Sequence, residues 1–173
     1  AGMPDLDWLG EIGPRLEFTL AQAGDVRIEF ELPVRGVFST NFGSRFDYQG
    51  LITVPELAYQ HDDFLASDIK FKIGVSAAFA DAKLQSLFYG VPTAFATGTR
   101  SAYVAKSGYM GSKLAISASR RFGPRVRILS ALRFDFYKGA ANDQSPLFKD
   151  TSTTTFGIAI IVSLWQSKTL VEN

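Results

Sequence analysis

Strict alternation of apolar and polar residues through two adjoining runs constrains this chain most. From Ser112 to Tyr137 it reads SKLAISASRRFGPRVRILSALRFDFY. In the first run Leu114, Ile116, Ala118 and Phe122 share one parity, and Lys113, Ser117, Ser119 and Arg121 share the other. Arg120 alone breaks the apolar parity, next to the turn Phe122-Gly123-Pro124-Arg125. In the second run Val126, Ile128, Leu132, Phe134 and Phe136 oppose Arg125, Arg127, Arg133 and Asp135. Successive strand side chains point to opposite faces, so the pattern predicts a hairpin with one apolar and one charged side. Each arm reaches the roughly 9–11 residues that a tilted strand needs to cross a bilayer, against ~5–6 for an ordinary strand. The expectation is a membrane barrel.

The same alternation recurs along the chain. Leu16, Phe18 and Leu20 oppose Arg15, Glu17 and Thr19, and the tight turn Ala23-Gly24-Asp25 follows. Val26, Ile28, Phe30, Leu32, Val34 and Phe38 then oppose Arg27, Glu29, Glu31 and Arg35. Pro33 lacks a ladder donor, which places it at a bulge or a non-bonding position. Phe46 to Gln60 reads as a weaker strand broken by Gly50 and Pro55, and His61 to Ala66 as a polar turn. Ile69, Phe71, Ile73, Val75 and Phe79 oppose Lys70, Lys72, Gly74 and Ser76, and the last strand, Ser152 to Trp165, carries Phe156, Ile158, Ile160, Val162 and Leu164 on one face. The reading is a single β-barrel domain over residues 1–173, with seven strands and no helix. Residues 1–14 form a lead-in, Thr40 to Arg45 a turn, 81–111 a long loop excursion with one short element, 138–150 a further loop, and 166–173 a polar tail.

Composition narrows the classes. Charged residues are 20% of the chain and the net charge is +1, so no basic excess points to nucleic acid. Aromatics reach 13%, in keeping with barrel girdles. Mean hydropathy is only +0.06. No apolar run approaches the ~18 residues of a membrane helix, since the best, Phe156 to Val162, has seven. The absence of Cys removes disulfides, thiolate metal sites and a thiol nucleophile.

Five short elements occur in order on this background. They are Leu87-Phe88-Tyr89-Gly90-Val91, then Ala96-Thr97 with Arg100-Ser101-Ala102-Tyr103, then Gly108-Tyr109-Met110-Gly111, then Gly139-Ala140-Ala141, then Ser145-Pro146-Leu147. Together with Leu32-Pro33-Val34-Arg35 and the Gly10 to Pro14 element, they resemble the MipA/OmpV family (MltA-interacting proteins) of Gram-negative outer-membrane proteins. The resemblance runs from about Trp8 to Trp165 and implies an antiparallel up-and-down transmembrane β-barrel in the outer membrane. For one family member it also implies a scaffold joining a lytic transglycosylase to a bifunctional penicillin-binding protein in murein synthesis. Ser101 stands where the family usually has Pro, and family members usually carry further strands ahead of this segment. Seven strands is also an odd number, and up-and-down closure needs an even one. The chain is therefore expected to be the C-terminal part of a larger barrel, unless Leu84 to Tyr109 supplies an eighth strand.

Candidate chemistry is sparse. Glu17, Glu29, Glu31 and Asp135 have Arg27, Arg35, Arg127 and Arg133 at matching parity. Buried charges must be paired, so these residues read as a lumen charge network and not as a catalytic acid pair. His61 beside Asp62 and Asp63 reads as solvated loop, with no second His for a metal site or triad. No G-x-S-x-G occurs, and no catalytic, metal or cofactor-binding residue is assigned. Tyr89, Gly90, Arg100, Tyr103, Gly108, Tyr109, Ser145 and Pro146 are the candidate partner or loop signature; Arg100 and Tyr103 either grip a partner or brace the barrel mouth. The expected function is a non-enzymatic scaffold or interaction protein whose partners are outer-membrane lipid and murein-synthesis or murein-hydrolase proteins. The alternative is a soluble, lipocalin-like ligand-binding barrel, which needs a polar exterior and an apolar lumen. Charge pattern alone leaves open which face is out.

Overall fold

The computed structural model describes residues 2–3, 6–41, 46–65 and 68–164. Nine strands form one sheet in which every pairing is antiparallel: β1 (Trp8–Ile12), β2 (Arg15–Ala23), β3 (Val26–Thr40), β4 (Phe46–Thr53), β5 (Glu56–Phe64), β6 (Ile69–Ala80), β7 (Gly108–Phe122), β8 (Val126–Phe136) and β9 (Ser152–Val162). The connectivity is up-and-down. The predicted hairpin is present, with β7 and β8 in register from Ser112↔Phe136 to Phe122↔Val126. Gly123 turns the chain at a φ of +68°, a backbone region that glycine enters at little cost.

Proline explains why nine strands occupy seven positions. β1 and β2 lie end to end along one side of β3, and β4 and β5 lie end to end along the other. Pro33 sits within β3 at the level where both changeovers occur, beside the breaks at Gly13-Pro14 and Val54-Pro55. Each proline removes a ladder donor, so the ladder cannot run unbroken through this level. The gap is closed by Val34 N–H to the Pro14 carbonyl (3.0 Å), Ala77 N–H to the Pro55 carbonyl (3.2 Å) and the Thr53 hydroxyl to the Pro33 carbonyl (2.6 Å).

Three local expectations are corrected. The lead-in contains a strand, because Trp8–Ile12 pairs with Gly36–Thr40 once Gly13 has let the chain pass close over β3. A Cβ at Gly13 would stand 2.8 Å from the Arg35 Cα. The stretch read as a polar turn from His61 is strand as far as Phe64, since β6 offers it a partner. The excursion contains a helix, α1 (Ala82–Tyr89), followed by a short 3₁₀ turn (Thr93–Phe95), so Leu84 to Tyr109 supplies no eighth strand. Asp81 caps α1 by accepting the Leu84 N–H at 2.8 Å, which satisfies an otherwise orphaned donor. Among the described residues β9 pairs only with β8, and β1 and β2 pair only with β3, so these strands are the edges of the sheet. The turn read at Thr40 to Arg45 and the polar tail lie largely outside the described residues.

Through the middle of the sheet the two faces differ sharply in exposure, whereas the edge strands are exposed on both. On β5, Leu57 is 44% exposed and its neighbour Ala58 1%. On β6, Val75 is 51% exposed and Ser76 7%. Register places Leu57, Val75, Leu114 and Phe134 on the outer face, and Glu56, Ser76, Lys113 and Asp135 on the inner one. The molecule is thus apolar outside and polar inside, the reverse of the lipocalin-like alternative. Aromatic side chains ring the outer face at two levels. Near one end Tyr59, His61, Phe64 and Phe71 are in contact; near the other Phe38 packs on Phe46 and Tyr48, and Phe79 on Tyr109. The connections at the first end are short (Gly24-Asp25, 65–68 and 123–125), whereas those at the second include residues 81–107 and 137–151.

Candidate functional site

At the long-loop end α1 lies on the inner face. Its Leu84 packs against Val37 and Ala80, with Ile52, Leu87 and Met110 around them, and this is the main apolar cluster among the described residues. Gly50 permits the approach. Its φ is +134°, and a Cβ there would meet Leu84 N at 2.8 Å. Asp81 ties the helix start to β4 as well, since its second carboxylate oxygen accepts the Leu51 N–H at 2.9 Å.

The excursion and the loop after β8 are joined by a buried polar knot. Asn142 and Gln85 are 1% and 0% exposed, and the Asn142 amide donates to the Gln85 side-chain carbonyl. Asn142 also brackets Lys106, accepting its N–H and donating to its carbonyl, both at 2.8 Å, and it accepts the Tyr103 hydroxyl at 3.1 Å. Gln85 donates to the carbonyls of Ala80 (3.2 Å) and Gly108 (2.9 Å). Ser145 donates to the Tyr89 carbonyl at 2.7 Å. A buried polar group costs free energy unless partnered, and here the amide groups of both side chains are engaged.

The signature residues therefore have distinct places. Tyr89, Gly90, Tyr103, Gly108 and Ser145 belong to this knot or to the backbone it holds; Val91 and Tyr103 exchange both backbone bonds, and Gly90 closes α1 through its N–H to the Ser86 carbonyl. Pro146 follows Ser145 in the tight turn of the same loop. Arg100 bends back inside the excursion, donating from Nε and a terminal nitrogen to the Phe95 carbonyl at 3.2 and 2.8 Å. Tyr109 stands apart, on the outer aromatic ring. Asn142 and Gln85, the centre of the knot, were missed by sequence reading; nothing in an isolated Asn or Gln marks it as buried.

Below the knot a cavity of about 210 Å³ opens onto the inner face, lined by Ser76, Tyr89, Met110, Lys113, Asp135 and Tyr137 among others. Burial, with Tyr137 beside it, pushes the Tyr89 phenol above its ordinary range. Deeper inside, ion pairs link several strands. Glu31 pairs with Arg15 (3.5 Å) and Lys72 (3.8 Å), and Glu56 with Lys72 (3.0 Å) and Lys113 (3.7 Å). Arg27 meets Glu29 (3.8 Å) and Asp62 (3.3 Å), and Asp62 also meets Lys70 at 3.0 Å. Glu17 pairs with Arg15 at 2.6 Å, Arg35 with Glu11 at 3.0 Å and Arg133 with Asp135 at 2.8 Å. Glu17, Glu29, Glu31 and Asp135 each have a cationic partner within 4 Å. Arg127 differs from the expectation. It stands opposite Arg121 and makes no ion pair among the described residues. His61 is not in a solvated loop; it lies on β5 between Tyr59 and Phe64.

The comparisons agree with this architecture. The family model described as "MltA-interacting protein MipA" matches residues 1–163. No curated protein and no solved structure matches the chain. With an all-β up-and-down sheet and a family match over nearly its whole length, this chain belongs to the MltA-interacting protein MipA family.

Proposed function

We propose that the chain is barrel wall in the Gram-negative outer membrane, serving there as a non-enzymatic scaffold for murein-synthesis machinery. The observation that carries the membrane part is the inverted exposure of β5 and β6, apolar outward and polar inward. An aqueous exterior does not stabilise such a surface, whereas hydrocarbon does. Its height also suits a bilayer: Phe71 and Phe79, one in each aromatic ring, are roughly 26 Å apart along β6 at ~3.3 Å per residue, or about 20 Å along the membrane normal at a tilt of ~40°, which fits within the apolar band of ~25 Å in outer-membrane barrels. In such barrels the short turns face the periplasm, which puts the ends of β2, β5 and β7 on the side where murein lies.

The interaction part is supported by the family, whose name records binding to MltA. The paired carboxylates support a scaffold over an enzyme. A lytic transglycosylase of the MltA kind is the partner to test, and the periplasmic turns are the surface for it. The full-length protein in detergent should migrate faster before heating than after, and should capture the purified transglycosylase on a sensor surface without itself turning over peptidoglycan. Migration indifferent to heating overturns the barrel reading. Turnover of peptidoglycan abolished by a single Asp or Glu change overturns the scaffold reading.

A further inference from the structure

The β7–β8 hairpin ends in an arrangement that its own charges oppose. Arg121 and Arg127 are direct cross-strand partners on the inner face, their Cα atoms about 4.5–5.5 Å apart. Like charges directly opposite one another destabilise a strand pair. Arg125 lies in the turn between them, and Arg120 on the outer face sits over the Phe122 ring at 5.4 Å. No carboxylate occurs between Ser112 and Phe134 to offset these four cations.

Among the described residues, the surrounding strands do not neutralise them either. One cavity of about 430 Å³ is lined by Arg121 and Arg127 with Asp62, Asp68 and Lys70; a second, of about 280 Å³, is lined by Arg121, Arg125 and Arg127 with Ile161 and Ser163. Asp62 is already held by Arg27 and Lys70, and Asp68 makes no ion pair with either arginine. Ile161, the neighbour of Arg127 on β9, is apolar. Both cavities share the same two guanidinium groups.

We infer that Arg121, Arg125 and Arg127 form a binding site for a phosphate group at the short-turn end. A guanidinium presents a planar fork of donors that matches phosphate or carboxylate oxygens. A single carboxylate has two oxygens and is served by one fork, whereas a phosphate ester has the oxygens and the charge for two or three. Seating it removes the Arg121–Arg127 repulsion, so the empty site is the strained state and the filled one the relaxed state. The phosphate arrives either as a lipid headgroup at the membrane boundary, where Arg120 and Phe122 face outward, or as a soluble phosphate ester.

The test uses the full chain in delipidated detergent micelles, with inorganic phosphate against chloride at equal ionic strength. A second arm compares nanodiscs of phosphatidylglycerol with nanodiscs of a phosphate-free glycolipid. The native protein should gain thermal stability with phosphate in at least one arm, and Arg121→Gln/Arg127→Gln should bind roughly tenfold or more weakly, the loss expected for charge-assisted bonds. Without phosphate the double variant should be at least as stable as the native protein, while Lys138→Gln at the other end should keep the native response. A gain only in phosphatidylglycerol assigns the headgroup; a gain with inorganic phosphate assigns the soluble ester. The inference is overturned if neither probe stabilises the native protein, if the double variant keeps the gain, or if it loses stability equally with and without phosphate.

Discussion

Val75 and Ser76 are chain neighbours on β6, and the valine is the exposed one, at 51% against 7%. They point to opposite sides of the same sheet, so the difference measures what each side meets. Ser76 lies in a row with Glu56, Lys113 and Asp135, and Val75 in a row with Leu57, Leu114 and Phe134. This one step along the chain separates an interior of paired charges from an apolar exterior.

Val75 also lies midway between Phe71 and Phe79, hence at the centre of the apolar band. Val75→Arg should cost about 2–4 kcal/mol in lipid, the range for a cation on the outer face at mid-membrane, whereas Ile128→Arg should cost about 0–1 kcal/mol, since Ile128 stands in register with Arg120 near the short-turn ring. Urea unfolding of the protein in lipid vesicles checks both. Equal costs, or the reverse order, would contradict a membrane-facing exterior.

Asn142→Ala removes the centre of the mouth knot. It leaves both backbone groups of Lys106 and the side chains of Tyr103 and Gln85 short of a partner, at about 1–3 kcal/mol for each group that stays buried. The excursion is anchored by this knot while the strands are held by their ladders. Hydrogen exchange should therefore speed up at the amide of Lys106 and its neighbours and stay unchanged in β6 and β7. Uniform acceleration across the sheet would show the knot to be part of the global fold.

The helix on the inner face predicts that the full-length protein in planar bilayers gives no large, steady conductance. Gly50→Ala introduces a Cβ 2.8 Å from Leu84 N in a left-handed backbone region, so it should displace α1 and bring channel openings. Large conductance in the native protein would rule out α1 as a plug. A silent Gly50→Ala variant that folds normally would rule out this helix as the only barrier.

Much of this architecture was legible because strand periodicity is local. Alternation alone assigned Ile69–Phe79 and Lys70–Ser76 to opposite faces, and turn chemistry located Gly24 and Gly123. The weak strand after Phe46 divides at Pro55, for a reason carried by the residue itself, whereas the break expected at Gly50 is only a register irregularity inside β4. Trp8–Ile12 escaped notice because five residues containing Gly10 show no clear period, and they become strand only by pairing with β3. The helix Ala82–Tyr89 is short, with a weakly apolar face that makes sense only above Val37 and Ala80.

The all-β class, the two faces of most strands and, through ordered short elements, the family can be read from the residues in order. Which face is inside follows from the folded sheet alone, because period two separates two sides without saying which one is concave. The folded sheet also decides the partners of the charges. Lys72 and Lys113 meet Glu56, and Lys72 meets Glu31, through register and curvature that bring distant strands side by side. Asn142 met Gln85, and Arg127 met Arg121 instead of an acid, for the same reason: pairing is a property of the assembled sheet and its loops, and no single stretch of chain contains it.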